Sequence, residues 1–205
     1  YHGWAFSNDG KLQAVPNLED GYYNELDQNK WGLAPVDQIE NYKGMIFATF
    51  DPKAPSLLDY LGEMTWYLDT YVDRREGGVE VVGGVHKSVM PCNWKLPAEN
   101  FVGDTYHAAW THASVRTKGA PADTSIIGKL VSPGNGHGVV TKRLDKQGEQ
   151  RFGATRSTLP PLVEAYEQSI LPEVEARLGP RKKLIPPSAS TVFPNVSFFR
   201  STSCS

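Results

Sequence analysis

The stretch Asn93-Trp-Lys-Leu-Pro-Ala-Glu-Asn-Phe-Val-Gly-Asp-Thr-Tyr-His-Ala-Ala-Trp-Thr-His112 decides the reading of this chain, because it gathers Asp104, His107 and His112 within nine positions. That concentration marks a metal site or its immediate surroundings. Asp104 and His107 are three apart, so on a helix turning ~100° per residue they lie about 60° apart and share a face. His112 follows His107 by five, which puts it about 140° away on a regular helix, so both imidazoles reach one ion only where the helix bends or unwinds. The zinc-protease pattern differs, with two His four apart on one face. Two imidazoles, a carboxylate and open positions suit non-haem ferrous iron and its reaction with dioxygen.

The run from Asn93 to His107, followed by Thr111-His112, resembles the iron-binding segment of the large (alpha) subunit of bacterial Rieske-type aromatic-ring-hydroxylating dioxygenases, and within them the naphthalene and polycyclic-aromatic group. A second landmark agrees. The opening Tyr1-His2-Gly3-Trp4 is similar to the end of the second Rieske half-motif, Cys-x-x-His-Gly-Trp, in the expected order and at roughly the expected separation.

The resemblance implies two metal centres. His107 and His112 match the family's two iron-binding His, with a third ligand, an Asp, expected beyond Ser205. Asp104 is the candidate catalytic carboxylate. It matches a bridge between the iron ligand His107 and, across a subunit boundary, the Rieske His matched by His2. A carboxylate accepting the second ring N–H of a metal-bound His fixes its tautomer and raises its basicity. In the Rieske [2Fe–2S] cluster two His replace two Cys on one iron; its cysteines are expected before Tyr1, and Cys92 does not stand in for them. Asn100, Phe101 and Ala108 match residues near the iron or in the substrate pocket, and Val102 and Phe193 are further pocket candidates. Where relatives often carry Val-Gly after the first His, this chain has Ala108-Ala109, which could widen the pocket.

As bare residues these positions also have plainer readings. A pair of His five apart is more often surface or core histidine than a ligand pair, and Asp104 alone reads as a helix cap. Glu99 reads as a solvated carboxylate, Asn100 as a turn amide and Phe101 as a core aromatic. His86 lacks a partner pattern, His137 in its Gly-rich loop reads as solvent-exposed, and Arg181-Lys-Lys183 as a solvated face.

Composition narrows the function classes. The 205 residues carry a formal net charge of -2 with a pI near 6.2, which gives no electrostatic case for nucleic acid or an anionic membrane. Small-molecule chemistry is the better expectation. No apolar run approaches the ~20 residues of a membrane helix, and two cysteines make no disulfide framework, which suits the cytoplasm. The chain begins without Met, inside a motif, and reads as an internal fragment.

In chain order, Trp4–Phe6 and Leu12–Val15 flank Asn8-Asp-Gly10 as a hairpin, and Met45–Phe50 reads as a buried strand. Ser56 is a candidate N-cap for a helix patterned by Leu57, Leu58, Leu61 and Leu68. Val79–Val82 and Val85–Val89 read as strands, and Pro97 suits the first turn of a helix beginning near Ala98. Ser132–Gly138 reads as a flexible loop. Val139–Arg143 and Arg151–Thr155 are strand candidates joined through Lys146–Gly148. Leu162–Leu178 is helical in pattern, with Pro172 expected to kink or divide it. Ala189–Phe193 and Val196–Phe199 read as strands. Without regular βαβ alternation the class is α+β. Residues 1–52 are expected to be the C-terminal part of a small β Rieske domain. Residues 53–205 are expected to be the N-terminal part of a catalytic mononuclear-iron domain, a helix-grip-like antiparallel sheet with helices.

The implied activity is dihydroxylation of an aromatic, polycyclic substrate by O2 to a cis-dihydrodiol. Electrons come from NADH through a reductase and a ferredoxin, and a small beta subunit completes an α3β3 assembly. Monooxygenation or demethylation on the same scaffold stays open, as do a hydrolytic zinc enzyme and a non-catalytic arene-binding module.

Overall fold

The computed structural model describes residues 2–104, 107, 111, 128–144, 150–151, 161–184 and 187–199. Contacts divide the chain into two units, Tyr1–Leu57 and Leu58–Ser205.

The first unit consists of two small antiparallel ribbons with helical turns. β1 (Ala5–Phe6) pairs with β2 (Leu12–Ala14), and the turn closes through hydrogen bonds from Gly10 N to Ser7 O and from Ser7 N to Lys11 O, both 2.9 Å. The expected hairpin is present. α1 (Leu18–Tyr22) follows, then a 3₁₀ turn at Gln28–Lys30 whose Asn29 N–H donates to Asp27 Oδ1. The Trp4 indole holds these pieces together, donating to Tyr22 Oη at 3.3 Å and meeting the Trp31 ring edge-on at 5.8 Å. β3 (Gln38–Tyr42), absent from the sequence expectation, pairs with β4 (Met45–Thr49) around Lys43-Gly44, both at positive φ. The expected buried strand is therefore half of a two-stranded ribbon. Met45, Phe47 and Thr49 face its covered side, while Ile46 on the other side is 69% exposed. A ribbon of two strands has one face to bury, so alternation replaces full burial.

In the second unit α2 (Leu57–Leu61) and α3 (Met64–Val72) are separated at Gly62, whose φ of 48° ends the first helix. Within the first unit, Glu40 Oε1 accepts the Leu57 N–H at 2.8 Å. Leu61, Met64 and Leu68 are fully buried; Leu58, read as part of the apolar pattern, is exposed. Neither Val79–Val82 nor Val85–Val89 forms a strand, and Val81 and Val89 are 92% and 98% exposed. Strand preference is a preference for a paired, half-buried surface, and no described strand lies beside these valines.

The sheet of this unit runs β5 (Gly128–Gly134), β6 (His137–Leu144), β8 (Pro187–Val192), β9 (Val196–Phe199), all antiparallel, with β7 (Gln150–Arg151) also on β6. The expected loop at Ser132–Gly138 is instead the end of β5, a two-residue turn and the start of β6. Asn135 and Gly136 both take positive φ (51° and 79°), the requirement of a tight hairpin turn. α4 (Lys95–Val102) packs on β6, β8 and β9. α5 (Pro161–Leu184) packs on α3, with Ile170 and Val174 buried. Its helical dihedrals continue through Pro172 and break at Gly179 (φ 77°), so the expected kink falls seven residues later. Salt bridges from Arg74 to Glu167 and Arg75 to Glu173, and a third between Arg177 and Asp73, join the end of α3 to α5. No helix among the described residues is long and apolar enough to cross a membrane. Antiparallel sheet plus unalternated helices makes the fold α+β, as expected.

Candidate metal centre

The segment that opened the sequence reading is built on α4. Asn93 starts it: its side-chain oxygen accepts the Lys95 N–H at 3.0 Å and its carbonyl accepts the Leu96 N–H at 3.0 Å. The helix thus begins three residues before the expected Ala98, with Pro97 still in the first turn, where a missing N–H costs no helical bond. Ala98 is buried against the sheet, and Thr191 Oγ1 donates to its carbonyl at 3.4 Å. At the other end Gly103 closes the helix against Glu99 O, and a Cβ there would stand 3.0 Å from that oxygen. Asp104 follows Gly103 at the end of α4.

Asp104 and His107 come together, by contacts partly different from those expected. Asp104 Oδ1 accepts the backbone N–H of His107 at 3.0 Å, the N-cap bond that starts the turn. His107 Nδ1 lies 2.5 Å from the Asp104 backbone carbonyl and 3.7 Å from carboxylate Oδ2. A carbonyl oxygen can only accept, so Nδ1 carries a proton. His107 is 21% and the Asp104 side chain 46% exposed. Thr111 N–H donates to His107 O at 2.7 Å. Metal-ligating histidines commonly donate one ring N–H to a nearby acceptor and bind the ion through the other nitrogen. His107 therefore fits an iron ion bound through Nε2.

His112, the expected second ligand, and Ala108, the pocket candidate, lie outside the described residues. Among the described residues no three His, Cys, Asp or Glu side chains gather in a metal-binding group. Asn100 is exposed and Phe101 half-buried, both on α4. Val102 is half-buried and presses on Gly138, and the Phe193 ring lies 5.8 Å from that of Trp94, tilted by 43°. His2 is exposed in the turn before β1, at φ 57°. Glu99, His86 and Cys92 are exposed.

His137 overturns its reading as an exposed loop residue. It is 2% exposed, with both ring nitrogens engaged, and burial pushes its pKa below the ordinary imidazole range. The signal was in the sequence: Asn135-Gly136 is a hairpin turn, which makes His137 a strand residue instead of a loop tip.

A family described as ring hydroxylating alpha subunit (catalytic domain) matches residues 59–204. The large oxygenase component of the naphthalene 1,2-dioxygenase system of Pseudomonas fluorescens is 45% identical over 139 residues, 68% of this chain and 31% of that protein. The alpha subunit of the N,N-dimethyl phenylurea N-demethylase of Sphingobium sp. (strain YBL2) is 36% identical over 207 residues, 98% of this chain and 44% of that protein. Among solved structures, naphthalene 1,2-dioxygenase with indole bound in the active site matches with a TM-score of 0.70 and 34% identity, covering 97% of this chain and 46% of that one. The chain thus spans less than half the length of these relatives. With the capped Asp104-to-His107 turn on its sheet-packed helix, these matches show that the chain belongs to the ring hydroxylating alpha subunit family.

Proposed function

We propose that this chain is part of the large subunit of a terminal oxygenase that adds both atoms of O2 to an aromatic, polycyclic hydrocarbon, giving a cis-dihydrodiol. The observation that carries the proposal is the His107 ring, held through Nδ1–H at the Asp104 carbonyl, which supports Nε2 as the nitrogen that would ligate an ion. The likeness to the naphthalene 1,2-dioxygenase large components supports the reaction class. His107 and His112 would hold a mononuclear ferrous iron, and that ion, when bound, supplies the activation of dioxygen. Asp104 would fix the tautomer of His107 and accepts its backbone N–H, and its half-exposed carboxylate would take a further hydrogen bond. Across a subunit boundary, the donor is His2 of a neighbouring copy. His2 would be a ligand of a Rieske [2Fe–2S] cluster in a domain whose C-terminal part is residues 1–52. Residues 53–205 are then the N-terminal part of the catalytic domain, with Asn100, Phe101 and Ala108 at its substrate pocket.

The remaining components follow the same reading. NADH reduces a separate reductase and ferredoxin, a small beta subunit completes an α3β3 assembly, and the location is the cytoplasm. A second reading, oxidative demethylation of an aromatic substrate, is favoured by the Sphingobium relative, which aligns with nearly the whole chain. The test is oxygen uptake with product analysis, using the full-length alpha subunit with its partners on naphthalene, phenanthrene and an N-methyl phenylurea. Diol formation from the arenes supports dioxygenation; formaldehyde release from the urea with no diol shifts the function to demethylation. A protein that binds zinc in place of iron, or arene with no oxygen uptake, refutes both.

A further inference from the structure

We infer that His137 is a positioning residue: its uncharged imidazole clasps α2 to the β8–β9 turn and so seats α4, the helix that delivers Asp104 and His107, and protonating it loosens that seat. The inference rests on the proposed metal-centre reading of those two residues. Three hydrogen bonds form a closed circuit. His137 Nε2–H donates to the Tyr60 carbonyl at 2.9 Å, Phe193 N–H donates to His137 Nδ1 at 3.1 Å, and Tyr60 Oη–H donates to the Phe193 carbonyl at 2.6 Å. The Tyr60 ring stands edge-on to the imidazole at 5.0 Å, and Asn135 Nδ2 donates to the same Tyr60 carbonyl at 2.8 Å.

Two contacts carry the clasp to α4, one at each end. The Phe193 ring lies against Trp94, the residue that precedes the helix, tilted by 43°. Gly138, adjacent to His137, abuts Val102 in the last turn so closely that a Cβ at Gly138 would stand 2.6 Å from Val102 Cγ2. Asp104 follows two residues after Val102. The position of His107 therefore depends on where the clasp holds α4.

The circuit needs one protonation state. Nδ1 accepts from a backbone N–H, so a proton there would set donor against donor. Among the described residues, the groups facing the ring offer that charge no carboxylate. From α2 come the Tyr60 ring and carbonyl, the phenol kept uncharged by burial that raises its pKa, with exposed Asp59 one residue before. From the β8–β9 turn comes Phe193. β5 places Gly134 opposite His137, β8 places Thr191 opposite Gly138, and α4 contributes Val102. Because burial lowers the folded pKa below the ordinary 6.5, the clasp's contribution is fully present above that value and lost as pH falls through the folded one.

The test uses the full-length alpha subunit in its assembly. Amide exchange over Trp94–Gly103, corrected for intrinsic rates, is followed by mass spectrometry at about pH 7.5 and about pH 5.5, on either side of the ordinary imidazole range. Iron content and the pH profile of turnover are read beside it. We expect the parent to lose protection in α4 at the lower pH, with turnover falling in step. His137→Gln keeps a donor for Tyr60 but does not titrate, so its α4 protection should be the same at both pH values. Tyr60→Phe opens the circuit without touching the imidazole and should lower protection at both pH values while keeping the pH step. It serves also if His137→Gln does not fold. A parent without the pH step, or a His137→Gln variant that keeps it, overturns the inference. A parent lacking iron at neutral pH overturns the metal reading, while the exchange measurement still decides the clasp.

Discussion

Gly138→Ala is the sharpest perturbation the structure offers, because it adds one methyl group where α4 leans on the sheet. The new Cβ would stand 2.6, 2.7 and 3.1 Å from Val102 Cγ2, Cβ and Cγ1. Comfortable carbon–carbon contact begins near ~3.5 Å, so α4 or β6 must give by roughly 1 Å. Val102 is β-branched and its own Cβ is among the atoms struck, so a rotamer change cannot clear the space. Overpacking of this kind costs about 1–3 kcal/mol. The displacement falls on the last turn of α4, two residues before Asp104, and a ~1 Å misplacement of reacting groups can cost about 100-fold in rate. Urea unfolding by circular dichroism and diol formation by the assembled enzyme measure the two effects. Val102→Ala combined with Gly138→Ala should recover only part of each, because the Cβ contact remains. A Gly138→Ala enzyme within about 0.5 kcal/mol of the parent and with unchanged turnover would refute the idea that this contact sets the metal segment.

Other outcomes follow from the same geometry. Asp104→Asn keeps an oxygen able to cap the His107 turn, so it should retain iron while turnover falls, as metal analysis and oxygen uptake will show. Asp104→Ala removes the cap as well and should cost a further ~0.5–2 kcal/mol of stability in urea. Leu61→Ala opens a cavity at a fully buried site where α2 meets the core and should cost about 2–5 kcal/mol in the same assay. The Glu76 backbone N–H and Arg75 hold the Glu173 carboxyl below its ordinary value. The contribution of Glu173 is therefore present above about pH 4.5 and lost as pH falls through the folded value, and Glu173→Gln should flatten that acid limb of a stability profile.

The pairing of Asp104 with His107 was legible because sequence spacing and local structure coincide there. Asp104 and His107 are three apart, and a capped turn brings them together whatever surrounds it; what spacing could not convey is that the backbone carbonyl, more than the carboxylate, holds Nδ1. The hairpins β1–β2 and β8–β9 were readable because turn residues separate short apolar runs. β5 was hidden by its composition. Ser132-Pro133-Gly134 looks like a loop, yet Pro133 and Gly134 end the strand and Asn135-Gly136 makes the turn, so His137 belongs to the sheet. The valines from 79 to 89 show the converse error, since strand propensity describes a fit to neighbours that the described chain does not supply. Pro172 misled for a third reason. Its fixed φ is helical, and the packing of Ile170 and Val174 carries α5 through it to Gly179.

The most direct test is the iron content and nitric-oxide-adduct electron paramagnetic resonance of the full-length alpha subunit, parent against His107→Ala. Visible absorbance of the Rieske cluster serves as the folding control. The account predicts a mononuclear iron signal in the parent that disappears in His107→Ala while the cluster absorbance stays. A His107→Ala protein that keeps the mononuclear iron signal would contradict it.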